Sequence, residues 1–275
     1  MPTVELPYVD AALDHLEGGG PPTWWRHLHW GLFDDPSVDD DSPERYYAAA
    51  EALTARIVEA GEVGDRSRVL DVGCGFGGTL DYLAGRRSGC ALVGLNIDER
   101  QLRWARRLVG GEGREVAWVQ ADGCSLPVAD GSLDHVLAVE CIFHFPSRKL
   151  FLQEAARVLR PGGTLALSDF LMAPGQLAAV ASTMSSAGMG DASWYGHMAK
   201  PLTTTGYERL ARRSGLELVH DDDVTAATLP TYPALRRLAD LAGSDEGLAS
   251  VNGLETLARQ GALEYHVLTF RPRER

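Results

Sequence analysis

The stretch VLDVGCGFGG, residues 69–78, is the most informative part of the 275-residue chain. An apolar run that ends near Asp71 is followed by Gly73, Gly75 and Gly77 at alternate positions. Glycine lets a backbone adopt positive φ angles and approach a ligand closely. In open α/β sheets, ligands bind beyond the carboxyl ends of the strands, at the switch point of the strand order. The stretch therefore predicts a strand, a ligand-binding turn and the start of a helix.

Segments on either side of this loop alternate between strand-like and helix-like patterns. Apolar runs predict five strands, at 68–73, 90–97, 115–122, 132–140 and 164–170. The segments between them predict three helices, at 76–87, 99–110 and 147–160, and the third is followed by Pro161-Gly162-Gly163. This alternation favours an α/β protein with a parallel, doubly wound sheet and right-handed crossovers. Strands that are apolar throughout are typical of a sheet that is covered on both faces.

The flanks are expected to extend and cover this sheet. Residues 1–41 predict an N-terminal flap with a short helix over residues 9–17. Ser42 precedes Pro43 and Glu44, a pattern that predicts a helix capped by Ser42. Residues of about 172–203 predict a helical lid insertion. The rest predicts a helix, a strand, one or two further helices and a final strand, at 204–214, 216–226, 231–260 and 262–270. We expect residues 42–275 to form a single domain.

The composition narrows the classes of function. Acidic residues outnumber basic residues 38 to 26, and the net charge of -12 argues against electrostatic binding of nucleic acid or an anionic membrane. The four cysteines form no CxxC pair, so a zinc ribbon or a redox dithiol is not expected. We see no signal-peptide pattern, and no apolar run reaches the ~18 residues of a membrane helix. These features predict a cytoplasmic protein with no membrane partner.

Asp71 also indicates the charge of the ligand. A carboxylate just before the glycines repels the diphosphate of a dinucleotide and attracts a cation. S-adenosylmethionine carries an ammonium and a sulfonium group, so it suits this loop better than NAD does. A nicotinamide oxidoreductase is therefore a disfavoured alternative. A glycine-rich turn that binds no ligand is a further alternative.

Four segments carry a family resemblance. The chain resembles the class I S-adenosylmethionine-dependent methyltransferases in VLDVGCGFGG (69–78), ADGCSLPVADGSLDHVLAVECIFHFP (121–146) and EAARVLRPGGTLALSDF (154–170). HLHWGLF (27–33) is similar to a segment of the small-molecule subgroup, which includes tocopherol-type and sugar O-methyltransferases of natural-product pathways. The resemblance implies a Rossmann-like, doubly wound sheet of seven strands in which the last strand is inserted antiparallel.

The resemblance also implies a cofactor, S-adenosylmethionine with S-adenosylhomocysteine as its product, and residues that bind it. Asp71, Gly73 and Gly75 would hold the methionine end, and Asp122 would accept from the adenine amino group. The family usually has an acidic residue for the ribose at the end of the second strand, where this chain has Asn96. An amide still hydrogen-bonds a diol, without the charge of a carboxylate. The other expected cofactor contacts are Ile97, Gln101, Gly123, Cys124, Glu140, His29 and Trp30.

Methyl transfer to a hydroxyl requires alignment with the sulfonium and a base that accepts the proton. His144 is the candidate base, because it lies just beyond the fourth strand and imidazole titrates near neutral pH. Asp169 ends the neighbouring fifth strand, and we expect it to orient His144, as in the sugar O-methyltransferases that the chain resembles. The alternative is that His144 packs beneath the lid and only donates to a carbonyl. For Glu140, the alternative to a cofactor contact is a helix-cap or surface carboxylate.

Aromatic and histidine residues of the flap and the lid form a second candidate region. The resemblance favours a flap that closes over the cofactor, and a static hydrophobic anchor is the alternative. His27 and His29 have no evident third ligand, so no metal is expected. Methionine and aromatic side chains of the lid suit an apolar or aromatic acceptor. The candidate substrate residues are Trp24, Phe143, Met172, Trp194, Tyr195 and His197.

The favoured function is methyl transfer from S-adenosylmethionine to a small-molecule acceptor, by O-methylation in secondary metabolism. The alternative is a cyclase or isomerase of the same fold that binds the cofactor without methylating. A nucleic-acid methyltransferase is disfavoured by the charge and by the lack of an Asn-Pro-Pro-aromatic motif. The sequence makes no prediction of the oligomeric state.

Overall fold

The computed structural model describes residues 6–24, 26–38, 40, 42–110, 115–187 and 193–273. Its strands are β1 (Arg68–Val72), β2 (Ala91–Asn96), β3 (Val116–Gln120), β4 (Leu133–Val139), β5 (Leu159–Met172), β6 (Leu216–Asp223) and β7 (Leu263–Pro272). Its α-helices are α1 (Pro7–Glu17), α2 (Pro43–Ala60), α3 (Gly78–Arg86), α4 (Glu99–Leu108), α5 (Arg148–Val158), α6 (Leu177–Ser186), α7 (Thr204–Arg213), α8 (Thr225–Thr228), α9 (Thr231–Leu241) and α10 (Asp245–Arg259). Short 3₁₀ turns cover Pro22–Trp24 and Ile142–His144.

The strands form one seven-stranded sheet in the order β3-β2-β1-β4-β5-β7-β6. β1 pairs in parallel with β2 and β4, and Asp71 is level with Gly94 on one side and Leu137 on the other. β7 is inserted between β5 and β6 and runs antiparallel to both. The doubly wound α/β sheet with an antiparallel last strand is therefore confirmed. The strand order reverses at β1, which is where the glycine loop begins.

Local signals in the sequence account for the starts of α2 and α3. The Ser42 hydroxyl accepts a hydrogen bond from the backbone of Arg45, which confirms the predicted cap of α2. Gly77 precedes α3 in the left-handed region, with φ 85°, and a Cβ there would lie 2.7 Å from the Trp118 ring. Only glycine fits this turn, because it tolerates both the positive φ and the close ring.

The third predicted helix ends earlier than expected. α5 stops at Val158, and β5 begins at Leu159 instead of after the Pro-Gly-Gly sequence. Leu159 pairs with Leu133 before a bulge, and regular pairing resumes between Thr164 and His135. The proline and glycines therefore lie inside the irregular start of a strand. Pairing with β4 overrides the local helix pattern in the last turn.

Packing brings the two ends of the chain together over the carboxyl edge of the sheet. Val9 and Leu13 of α1 form a buried cluster with Phe76 of the glycine loop and Leu238 of α9. In the lid region, α6 is helical, and residues 193–203 cross the strand ends, where Leu202 bridges to Leu171 of β5. Within the described residues, no helix combines the length and apolarity that would let it cross a membrane.

Candidate active site

A cavity of about 960 Å³, here called the cofactor cavity, opens at the carboxyl ends of β1, β2, β3 and β4. It lies where the glycine loop and the strand order predict a ligand. Most of the expected cofactor residues line it, namely Asp71, Gly73, Gly75, Asn96, Ile97, Gln101, Asp122, Gly123, Glu140 and His29. Cys124 and Trp30 do not line it. The Cys124 thiol turns instead to the Ser147 carbonyl, 3.4 Å away.

Asp71 supplies a buried carboxyl group to this cavity. Its side chain is only 1% exposed, and Oδ2 has no hydrogen-bond partner among the described residues. Burial raises the pKa of Asp71 to about 8. A buried, unpartnered carboxyl group is costly, and a cationic ligand removes much of that cost. The ammonium group of S-adenosylmethionine fits this requirement, so the residues present suit the cofactor.

The expected ribose side of the cavity has an ordered amide pair. The Asn96 side chain donates to Gln101 Oε1 at 3.4 Å and accepts from the backbone of Asp98 at 3.1 Å. The Asp98 carboxylate caps α4 and also bonds to Arg100. That carboxylate is engaged in the helix cap, which leaves the amides of Asn96 and Gln101 as the polar groups facing the cavity.

A second cavity of about 640 Å³, here called the acceptor cavity, adjoins the first. Its walls come from α1, α2, β5, α9, α10 and the segment around residue 195. Of the expected substrate residues, Phe143, Trp194 and Tyr195 line it, together with Trp30, which was expected at the cofactor. Met172 packs against the core instead, and the backbone carbonyl of His197 contacts His144. The Trp24 side chain lies outside the described residues.

The two cavities meet at a shared group of side chains. Tyr8, Leu28, His29, Glu140 and His144 line both of them. This junction is the place where a methyl group and an acceptor would come together. Sequence analysis named neither Tyr8 nor Leu28 as a site residue. For Tyr8, nothing local marks one residue of an N-terminal helix as part of a site 136 positions away.

His144 presents one ring nitrogen to this junction. Nδ1 lies 3.1 Å from the His197 carbonyl oxygen, and a carbonyl can only accept, so the proton is on Nδ1. Nε2 then carries the lone pair, and the Tyr8 hydroxyl donates to it over 3.4 Å. Burial lowers the pKa of His144 to about 4, so the imidazole is neutral at pH 7. A neutral ring whose Nε2 carries an unprotonated lone pair can accept a proton, as a base must.

The expected pair between His144 and Asp169 does not form. The Asp169 carboxylate is fully buried, accepts from the Tyr207 hydroxyl and lies 3.1 Å from Nη2 of Arg148. The physical reason is that the Arg148 guanidinium and the Tyr207 hydroxyl already occupy the Asp169 carboxylate. His144 Nδ1 meanwhile has its own acceptor in the lid. Asp169 is therefore corrected from a direct partner of His144 to a partner of Arg148.

Glu140 is a buried junction residue and not a surface carboxylate. It accepts from the backbone of Trp30 at 2.8 Å and from the Tyr265 hydroxyl at 2.6 Å. Its own backbone has a positive φ of 49° and donates to the Ser168 hydroxyl. Burial raises the pKa of Glu140 to about 8. Glu140 thus ties the N-terminal segment to the sheet beside the cofactor cavity.

The two flap histidines bond to each other and to a helix. His27 Nδ1 lies 3.1 Å from His29 Nε2, which is also 3.1 Å from the Thr54 hydroxyl. His29 Nδ1 donates to the Trp30 carbonyl, and burial lowers the pKa of His29 to about 4. Burial also lowers the pKa of His27 well below its usual value, so both rings are neutral at pH 7. In the part of the chain that the structure describes, no group of three metal-ligating side chains is found.

The chain is similar to known proteins in sequence and in fold. Residues 70–167 match the family described as Methyltransferase domain. Methyltransferase GfsG from Streptomyces halstedii is 37% identical over 213 residues, which cover 76% of this chain and 72% of that protein. The 27-O-demethylrifamycin SV methyltransferase from Amycolatopsis mediterranei is 32% identical over 213 residues, which cover 76% of this chain and 73% of that protein.

Two solved structures illustrate the common fold. A putative sarcosine dimethylglycine methyltransferase from Galdieria sulphuraria has a TM-score of 0.76 at 20% identity, over 95% of this chain and 98% of that one. The cyclase SpnF has a TM-score of 0.72 at 22% identity, over 96% of this chain and 93% of that one. Because identity to GfsG extends far beyond the glycine loop, the chain belongs to the class I S-adenosylmethionine-dependent methyltransferases, with the cofactor that its sequence predicts.

Proposed function

We propose that the enzyme methylates a hydroxyl group of a neutral, largely apolar natural product. The observation that carries this proposal is the position of His144, whose unprotonated Nε2 faces the junction of the cofactor and acceptor cavities. Among the described residues, no lysine or arginine lines the acceptor cavity, and Glu140 is its one acidic residue. An uncharged acceptor enters such a cavity at the lowest desolvation cost.

The names of the relatives support oxygen as the methylated atom. One relative is named for 27-O-demethylrifamycin SV, a natural product that lacks a methyl group on oxygen. The aromatic and aliphatic walls of the acceptor cavity suit an apolar or aromatic ligand. A cyclase that shares the fold is less favoured, because a likeness at 22% identity extends to the fold alone.

The chain's own residues have separate tasks in this mechanism. S-adenosylmethionine supplies an electrophilic methyl group on its sulfonium. Asp71 and the glycine loop would hold the methionine end, Asn96 would hold the ribose and Asp122 would hold the adenine. His144 Nε2 accepts the proton of the acceptor hydroxyl at the position where the Tyr8 hydroxyl now donates. The His197 carbonyl keeps Nδ1 protonated and so stabilises the imidazolium that forms.

Incubation with methyl-labelled S-adenosylmethionine and 27-O-demethylrifamycin SV, or a set of similar hydroxylated polyketides, tests the proposal. We expect label in an ether product and an equal amount of S-adenosylhomocysteine. The same compounds with the hydroxyl already methylated are the matched controls. Label on nitrogen or carbon would contradict O-methylation. A rearranged product of unchanged mass, without S-adenosylhomocysteine, would favour the cyclase.

A further inference from the structure

We propose that Arg148 is a positioning residue for His144, acting through the backbone of residues 197–200, here called the lid segment. Asp169 and Tyr207 hold Arg148 in this role. The inference rests on the proposed function, in which His144 is the base. It assigns a task to a buried ion pair that, among the described residues, has no hydrogen bond to His144 and does not line the cofactor cavity.

The lid segment is bonded directly to the 3₁₀ turn that carries His144. The His144 ring donates through Nδ1 to the His197 carbonyl at 3.1 Å. One residue earlier in the turn, the Phe143 carbonyl accepts from the backbone of Ala199 at 2.8 Å. The orientation of the imidazole therefore depends on where the lid segment lies. If the His197 carbonyl moves away, either ring nitrogen can carry the proton.

Arg148 fixes the far end of the lid segment. Its Nη1 donates to the Lys200 carbonyl at 3.0 Å, and Nε and Nη2 lie 3.2 Å and 3.1 Å from Asp169 Oδ2. The planar guanidinium thus spans a buried carboxylate of β5 and a carbonyl of the lid segment. A lysine ammonium at the same place has one nitrogen and a shorter reach, so it cannot hold both groups in this geometry.

Burial of the ion pair fixes the orientation of the Arg148 guanidinium. The Arg148 side chain is 8% exposed and the Asp169 side chain is 0% exposed. The Tyr207 hydroxyl of α7 donates to the same carboxylate. A buried charge needs its partner, because separating the two leaves an uncompensated ion in a low dielectric. The guanidinium is therefore held from β5 and α7, and the lid segment adjusts to it.

The test uses protein with ¹⁵N-labelled histidine, bound to S-adenosylhomocysteine, in which His144→Gln identifies the His144 ring signals. In the unmodified protein we expect one protonated Nδ1 and one unprotonated Nε2. Arg148→Lys keeps a cation beside Asp169 and loses the bond to Lys200. Its His144 signals should move toward the average of two exchanging tautomers. The control is Arg157→Lys, also on α5, which loses bonds to the carbonyls of Leu126 and Val128.

Unchanged His144 signals in folded Arg148→Lys would overturn the inference, as would an equal change in Arg157→Lys. If Arg148→Lys is insoluble, Tyr207→Phe replaces it, and a smaller shift of the same signals is expected; no shift again overturns the inference. With a hydroxyl acceptor, Arg148→Lys should lower kcat about tenfold and leave KM unchanged. The NMR measurement of the His144 ring requires no methyl acceptor, so it is independent of the proposed substrate. A ring response combined with full turnover in His144→Gln would contradict the base role and leave the positioning role standing.

Discussion

At the residue scale, a single hydrogen bond decides which nitrogen of His144 can accept a proton. The His197 carbonyl places the proton on Nδ1, and the other nitrogen faces the junction of the two cavities. The position of His144 just after β4 made it a candidate base from sequence. Its actual partner was not predictable, because the carbonyl that orients it lies 53 residues away in an irregular segment.

His144→Gln should lower kcat by at least about 100-fold, since a positioned base contributes roughly 10²–10⁴. Glutamine retains an amide donor for the His197 carbonyl and has no basic nitrogen. Binding of S-adenosylhomocysteine, measured by calorimetry, should stay within about threefold of the unmodified protein. His220→Gln, at an exposed histidine on β6, is the control and should keep full turnover. Near-normal turnover of His144→Gln would remove the base role.

Asp71 predicts a pH dependence of stability in the cofactor-free enzyme. Its pKa is raised from 3.8 to about 8, so between these values the folded state binds more protons than the unfolded state. The contribution of Asp71 to stability therefore falls as the pH rises from 4 to 8. Asp71→Asn should raise the Tm at pH 8 by roughly 3 °C or more. It should also weaken the binding of S-adenosylhomocysteine at least about tenfold. A lower Tm than that of the exposed-site control Asp14→Asn would contradict this expectation.

At the element scale, the N-terminal segment was open to two interpretations, a closing flap or a static anchor. Four consecutive backbone amides from Trp30 to Phe33 donate to different parts of the fold. Their acceptors are Glu140 Oε2, Thr231 Oγ1 and the carbonyls of Ala49 and Ala227, at 2.8–3.0 Å. These bonds favour the anchor for residues 30–33 and leave α1, with Tyr8, as the element that covers the junction.

Hydrogen exchange of backbone amides separates these two parts of the N-terminal region. Residues 30–33 should be equally protected with and without S-adenosylhomocysteine, because their acceptors belong to the sheet and its helices. The amides of α1 should gain protection, at least about fivefold, when the cofactor cavity is filled beneath Tyr8. A gain in protection confined to residues 30–33 would instead support the closing flap. Exchange in β1 is the internal reference.

The sequence predicted most of the helices and strands, but it predicted the residues at which they begin and end less often. The cap at Ser42 and the glycine at position 77 act through neighbours in the chain, so local pattern was sufficient there. The end of α5 was misjudged because Leu159 pairs with Leu133 on another strand. Competition between a helix turn and a strand ladder depends on tertiary packing, which local pattern does not contain.

At the scale of the whole molecule, the acceptor cavity exists because the two ends of the chain pack together. α1 contributes Tyr8, and α9 and α10 contribute Leu238 and Leu254. Leu254 also lines a smaller cavity of about 330 Å³ that shares Phe143 with the acceptor cavity. The cofactor cavity lies at the strand ends, so changes in α10 should affect the acceptor and spare the cofactor.

Leu254→Trp should raise KM for the acceptor about tenfold or more by filling part of the acceptor cavity. The Kd of S-adenosylhomocysteine should remain within about twofold, because Leu254 does not line the cofactor cavity. Leu241→Trp on α9 is the matched control, since Leu241 is 67% exposed. Steady-state kinetics and calorimetry provide both values. Equal losses of acceptor and cofactor binding would contradict two separable cavities.

Local periodicity and backbone chemistry were enough to predict the alternating elements, the glycine turn and the acidic residues at the strand ends. The partners of the catalytic candidates, in contrast, follow from the packing of distant segments. Asp169 turned out to pair with Arg148 and Tyr207, and His144 with the lid segment and with Tyr8. Such contacts join residues up to 136 positions apart, and competition among buried polar groups selects them, which no local pattern encodes.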